Sequence, residues 1–388
     1  KTLEDAMKQA KISKWTIFFF MGATLALGSR LPAAQADAAA RNPLIVSSAG
    51  DKEWQAAQGA GHIWTEEEMA SAVSLDVPGV NEDTLAKWAA EAISKSAHDT
   101  KGGPGFDPGA APGGRVTRTA MDPQSAVEDQ AGMDKGYSYP PPYTRYETFP
   151  NYTGYPHVTV GKVYFTEPGV GNFVCSGSSI GGDAVMTAAH CIHSATGTTF
   201  WTNWAFVPAL KGTSKPYGQW SANILYYLGA YSAGGGDSRY DIGGAVLNRN
   251  SGFKISQKVG FLGFAWNQST NTGAHWAIIG YPQAAPFNGT QQFICQASYA
   301  YNAGGSAPSP IGAGCDQTGG TSGGPWIRNY AGFSGQVNFI NGVNSYRRCF
   351  DQACTSLYTQ ELFSPYFDNN AKALKDCLVN STPGHPAC

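Results

Sequence analysis

From residue 158 onward the chain alternates apolar and polar side chains in short runs, separated by turns rich in Gly, Asn and Pro. The runs at 158–166, 184–187, 242–247, 276–280, 291–297 and 336–343 carry the two-residue period of strands with one face in a core. So many short strands over about 220 residues predict an antiparallel barrel architecture. Two other stretches keep a helical period. Asn81-Glu-Asp-Thr opens one, with Leu85, Trp88, Ala89 and Ile93 on one face. Residues 364–379 form the second, with Phe367, Ala371, Leu374 and Leu378 on one side. Residues 101–114 are rich in Gly and Pro and read as a loop, and Tyr139-Pro-Pro-Pro-Tyr143 reads as a stiff extended segment. The sequence shows no internal repeat.

The start of the chain has a different texture. Lys8, Lys11 and Lys14 precede an uncharged run at 15–29, shorter than the ~20 residues a membrane span needs. Ala34-Gln-Ala36 follows, with small residues where a signal peptidase cuts. Residues 1–36 therefore read as a secretory signal peptide, with a membrane anchor as the alternative. Residues 37–140 contain no cysteine and read as a propeptide, with Arg118 and Lys135 as candidate processing points. A disordered or independent accessory segment is the alternative there.

Composition narrows the function classes. The chain has 388 residues, enough for two or three domains with a full core. A net charge of −2 with only 14% charged residues offers no basic stripe for nucleic acid. All eight cysteines lie after Phe173, an even set that reads as a disulfide framework in an oxidising compartment. His190, Cys191 and His193 raise the rival idea of a metal site, but no second Cys/His pair lies at zinc-ligand spacing. Asn151, Asn267, Asn288 and Asn380 open Asn-x-Ser/Thr sequons, which permit glycosylation; roughly three would arise by chance.

The chemistry concentrates in two stretches. Thr318-Gly-Gly-Thr-Ser-Gly-Gly-Pro-Trp326 sets Ser322 among glycines, which let backbone N–H groups converge and a substrate come close. A serine hydroxyl needs a base to take its proton, and Val185-Met-Thr-Ala-Ala-His-Cys191 offers His190 in an apolar setting. Together the two stretches resemble those of the chymotrypsin-like (trypsin-like) serine peptidases, in the family's order. That family carries Thr-Ala-Ala-His-Cys around its base and Gly-x-Ser-Gly-Gly-Pro around its nucleophile. The resemblance spans residues 158–379, is nearest to secreted fungal-type trypsin-like and glutamyl endopeptidase members, and leaves the N-terminal third uncovered.

The resemblance implies an all-β fold of two antiparallel six-stranded β-barrels with a C-terminal helix, preceded by a partly helical or disordered pro-region. Residues 141–260 would form the barrel with the His and Asp, and residues 261–388 the barrel with the nucleophile. It implies His190 as base, Asp241 as its orienting carboxylate and Ser322 as nucleophile, with the oxyanion held by the N–H groups of Gly320 and Ser322. Asp237 competes with Asp241 but has no apolar strand after it. Gly243 and Gly244 depart from the family's usual residues after the Asp. A Cys175–Cys191 bridge is implied; local bridges Cys295–Cys315, Cys349–Cys354 and Cys377–Cys388 are expected for the rest. Thr321 stands where many members have an Asp that pairs with a newly freed amine, so activation should work by removing a blocking segment or through other contacts.

Specificity stays open between two readings. Asp316, six residues before Ser322, stands where trypsin-like members keep the acid that selects Lys or Arg, though Thr318 replaces their cysteine. Ser345-Tyr346-Arg347 resembles the Ser-Trp-Gly pocket wall. Arg347 or Arg348 could instead attract an acidic side chain or neutralise Asp316, whereas Asn344 stands where glutamyl endopeptidases often use His. The expected molecule is a secreted, monomeric serine endopeptidase acting on proteins or peptides without cofactor or metal, and without nucleic-acid or stable membrane association. A non-catalytic homologue that binds proteins or glycans through the cleft is the rival.

Overall fold

The computed structural model describes residues 44–58, 61–95, 103–114, 139–148, 150–270, 273–303, 309–330 and 338–388. The expected signal peptide and both processing points, Arg118 and Lys135, lie outside the described residues. Ahead of the main sheets come β1 (Ile45–Ser47), α1 (Lys52–Gln58), α2 (Glu66–Ser71), β2 (Val73–Ser74), β3 (Gly79–Val80), α3 (Glu82–Lys95), β4 (Gly105–Asp107) and β5 (Thr144–Glu147).

The first sheet closes on itself. Its six strands are β6 (Val160–Glu167), β7 (Gly171–Gly181), β8 (Ala184–Thr187), β9 (Thr202–Pro208), β10 (Trp220–Leu228) and β11 (Gly243–Leu247). They pair antiparallel in the ring β6–β7–β8–β11–β10–β9–β6, which closes the barrel, while β7 around residues 173–174 runs beyond its pairing with β8. Val160, Val174, Met186, Val207, Ile224 and Val246 share one buried cluster with α-helical and second-barrel residues. Short helices α4 (Ala230–Ala233) and α5 (Ile255–Val259) fill the connections.

The second sheet contains β12 (Gly263–Trp266), β13 (His275–Gly280), β14 (Phe293–Asn302), β15 (Ile311–Gly314), β16 (Pro325–Arg328), β17 (Phe339–Val343) and β19 (Glu361–Ser364). Between the last two lies β18 (Arg347–Arg348), paired elsewhere. Pairing runs β19–β15–β14–β13–β16–β17. A bridge between Tyr346 and Phe363 closes the seam, with the Ser345 N–H donating to the Phe363 carbonyl at 2.9 Å and the Phe363 N–H to the Tyr346 carbonyl at 2.9 Å. That makes the second six-stranded barrel.

Two local outcomes have simple causes. In the expected loop at 101–114, the described residues 103–114 include a strand, because β4 pairs antiparallel with β12. Its Phe106 ring meets Phe339 edge-on at 5.0 Å, and this packing outweighs the turn-forming composition. The C-terminal helix is α6 (Asn369–Asn380), capped by Asp368, whose carboxylate accepts from the N–H groups of Asn370 and Ala371. Ala371, Leu374 and Leu378 form its buried face, with Phe367 buried just ahead of it. Close neighbours, the helix among them, explain the unusual glycine pair in β11. A Cβ on Gly244 would lie 2.5 Å from Leu378 Cδ1, and one on Gly243 would lie 2.4 Å from Ile192 Cδ1. The eight cysteines are bonded as 175–191, 295–315, 349–354 and 377–388.

Candidate active site

His190 sits in a single 3-10 turn, Ala189–Cys191, directly after β8. The cystine to Cys175 on β7 ties that turn to the barrel wall. Asp241 lies just before β11, the neighbour of β8, so sheet order brings the two together. One Asp241 oxygen accepts from the His190 backbone N–H at 2.9 Å. The other accepts from His190 Nδ1 at 2.7 Å and from the Ser345 hydroxyl at 2.6 Å. Burial alone would raise the Asp241 carboxyl. The electrostatic attraction of His190 and the bonds from His190 and Ser345 outweigh it and hold the group below the usual carboxylate range. Asp237 is engaged elsewhere, with its carboxylate bonded to Arg239.

Ser322 lies on the loop before β16, fully buried. First-barrel atoms grip its backbone: the Ser176 N–H donates to the Ser322 carbonyl at 2.7 Å, and Ser176 Oγ donates to the Gly320 carbonyl at 2.9 Å. Gly323 has φ +79, and a Cβ there would lie 1.9 Å from Thr187 Oγ1 and 2.8 Å from the Ala188 nitrogen. The nucleophile loop therefore abuts the segment leading into His190. His190 Nε2 and Ser322 Oγ are both buried polar atoms with no hydrogen-bond partner among the described residues. An orphaned polar pair is costly unless the site uses it.

A neutral network braces the loop from behind. Thr321 Oγ1 donates to Gln317 Oε1 at 2.5 Å. Asn344 Nδ2 donates to Thr321 Oγ1 at 2.8 Å and to its carbonyl at 3.1 Å, while Asn344 Oδ1 accepts from the Trp326 indole at 2.8 Å. The Asn344 carbonyl also accepts from the Gly323 N–H at 2.8 Å. The resemblance set Asn344 where glutamyl endopeptidases often use His; here its side chain is spent on this bracing. Ser345, read as pocket wall, faces Asp241. Tyr346 is wholly buried, stacked on Phe363 and capped edge-on by Trp88 of α3 at 5.9 Å.

Asp316 is bonded to Arg145 of β5. Arg347 is 5% exposed, and its Nη2 donates to the Gln317 carbonyl at 2.5 Å while its Nε has no partner among the described residues. Burial pushes this guanidinium down to about 10, against the pull of Asp316. The cation-binding clusters of His, Cys and acid among the described residues are built on the bonded pairs 175–191 and 295–315, whose sulfurs are not thiolates.

The sequence reading did not foresee what lies across the cleft. Residues 72–80 run through it. β2 lies parallel to β7, pairing Val73 with Phe173 and Ser74 with Val174. β3 lies parallel to β18, pairing Gly79 with Arg347 and Val80 with Arg348. Between them the Leu75 carbonyl accepts from the Gly320 N–H at 3.2 Å.

Residues 151–362, more than half of the chain, match the sequence model of the family described as Trypsin. A glutamyl endopeptidase from Bacillus licheniformis is 29% identical over 132 residues, which cover 34% of this chain and 38% of that protein. An extracellular metalloprotease from Bacillus subtilis is 27% identical over 136 residues, 34% of this chain and 40% of that protein. The chain thus spans about two-fifths of the length of these curated relatives. Among solved structures, the protease Anisep from Arthrobacter nicotinovorans is 32% identical, with a TM-score of 0.50 over 58% of this chain and 96% of that one. A thermostable serine protease, AL20, from an extremophilic microorganism gives 32% identity and a TM-score of 0.50 over 58% and 98%. With two six-stranded barrels, a buried serine and histidine on abutting loops and a family match over more than half its length, this chain belongs to the trypsin-like serine peptidase family.

Proposed function

We propose that the protein is a secreted serine endopeptidase that hydrolyses peptide bonds through an acyl-enzyme on Ser322. The observation that carries this reading is the file Asp241–His190, bonded at 2.7 Å, with the free Nε2 and the Ser322 hydroxyl both buried and unpartnered. Ser322 Oγ attacks the scissile carbonyl carbon as its proton passes to His190 Nε2. The N–H groups of Gly320 and Ser322 hold the resulting oxyanion. The intermediate collapses, the C–N bond breaks, and His190 returns the proton to the departing amine. Water then repeats the sequence on the ester and frees Ser322. Asp241 keeps its charge throughout and fixes the imidazole tautomer. No step calls for a metal or cofactor. Secretion is supported by the leader pattern and by the four cystines. No helix among the described residues is long and apolar enough to cross a membrane.

A fluorophosphonate, which phosphonylates an activated serine, tests the assignment. Labelling should map to Ser322 and vanish in Ser322→Ala; labelling that persists in that variant rejects it. For specificity, cleavage after Lys or Arg requires Asp316 to exchange Arg145 for substrate. A second reading, cleavage after acidic residues, is favoured by the buried Arg347 guanidinium with its unpartnered Nε. Profiling on a mixed peptide library decides: dominance of Lys/Arg selects Asp316, and dominance of Glu/Asp selects Arg347.

A further inference from the structure

We propose that residues 72–80 are a built-in plug of the catalytic cleft, bound as a peptide running in the non-productive direction, and that Ser322 becomes reactive only when this segment leaves. The proposal deepens the serine-peptidase reading and rests on it. The plug uses sheet-edge pairing at both ends. Its first residues add to β7 and its last to β18, while the Leu75 N–H donates to the Val174 carbonyl at 3.2 Å. The Gln283 side chain donates to the Ala72 carbonyl at 2.7 Å, and the Arg347 N–H donates to the Pro78 carbonyl at 2.9 Å. Val77 is 7% exposed and packs with Cys315 and Trp326 in the second-barrel core, whereas the Asp76 side chain stays exposed.

Strand polarity separates a plug from a substrate. The Leu75 carbonyl already sits on the Gly320 N–H, where an oxyanion would be held. From there the amine half of the 75–76 bond leads toward β18 on the second barrel, and the acyl half leads back to β7. His190 and the 175–191 cystine lie on the β7 side. Hydrolysis requires the reverse, because the base must stand beside the departing amine to protonate it. The occupied donor and the inverted chain direction together hold Leu75–Asp76 in place without cutting it. α3 fastens the far end: Val80, Leu85 and Trp88 pack with Tyr346, and Glu91 pairs with Arg239 at 2.7 Å. This answers Thr321 as well. A loop braced by Gln317 and Asn344 needs no freed amine to assemble, so a physical block is the control left available.

The test reads the rate at which a fluorophosphonate labels Ser322 in the full chain. Val77→Asp places a charge in the apolar pocket, and Trp88→Ala loosens the α3 anchor. Both should label at least ~10-fold faster than the wild type, because a larger fraction of molecules has an open cleft. Asp76→Ala, at an exposed side chain, should stay within ~2-fold. A free peptide of residues 72–81 should slow labelling of both fast variants and remain uncut at 75–76. Equal rates in wild type, Val77→Asp and Trp88→Ala overturn the plug, as does cleavage of the peptide at 75–76. Absence of labelling in every folded form, wild type included, overturns the peptidase reading and the plug with it.

Discussion

In the first barrel, Asp241 accepts from the His190 N–H, from His190 Nδ1 and from Ser345, and holds the base through a negative charge. In the second, Gln317, Thr321 and Asn344 hold the nucleophile loop through uncharged groups. The first arrangement depends on pH and the second does not. Asp241 is depressed in the folded state, so its contribution is present above the ordinary carboxylate range and is lost as pH falls through the lowered value. The Ser322 side is braced by neutral groups, with threonine and not a carboxylate at position 321. On the plug proposal, access to the two halves is what the chain controls.

Breaking the charged half should cost most. Asp241→Asn should lower kcat by about 10⁴-fold with KM little changed, the size of loss this change causes in the best-known member of the family. Steady-state kinetics on a plug-released variant with a peptide substrate measures it. Breaking the neutral half should cost less. Asn344→Ala strips side-chain partners from Thr321 and Trp326, leaves the backbone bond from Gly323, and should lower kcat by about 10²-fold while destabilising the fold by about 2–4 kcal/mol. Denaturant unfolding separates the two effects. A loss in stability with kcat intact would remove Asn344 from the site. The smallest change sharpens the contrast. Ser345→Ala deletes one donor to Asp241 and should cost about 1.5 kcal/mol in kcat/KM, the low end for a bond to a charged group. Because that donor helps to hold the carboxyl down, its loss should also move the acid limb of the stability profile to higher pH. Asn344→Ala should leave that limb where it is, and a shift there would erase the distinction between the halves.

Much of the site was legible because its chemistry is local in sequence. Ser322 and His190 each sit in a short motif, and Asp241 opens an apolar strand. The α6 face was legible because its apolar residues repeat at helical spacing. What escaped was held by distant partners. Val73-Ser-Leu-Asp-Val77 alternates apolar and polar residues, a strand period that the reading passed over inside the expected propeptide. What the period cannot name is its partners, β7 and β18, about a hundred and about 270 residues away in sequence. The pairing of Arg145 with Asp316 spans 171 residues, and nothing beside either residue announces it. Nothing beside Asn344 in sequence announces that it braces a loop; its bonds to Trp326 and Thr321, 18 and 23 residues away, show it.

A Cβ at position 244 would lie 2.5 Å from Leu378 Cδ1 and 2.5 Å from the Val185 carbonyl oxygen. A shorter residue at 378 would relieve the first clash and leave the second, which is backbone. Across homologous chains glycine should therefore persist at 244 whatever stands at 378, and a directed-evolution library that varies both positions should return survivors changed at 378 alone.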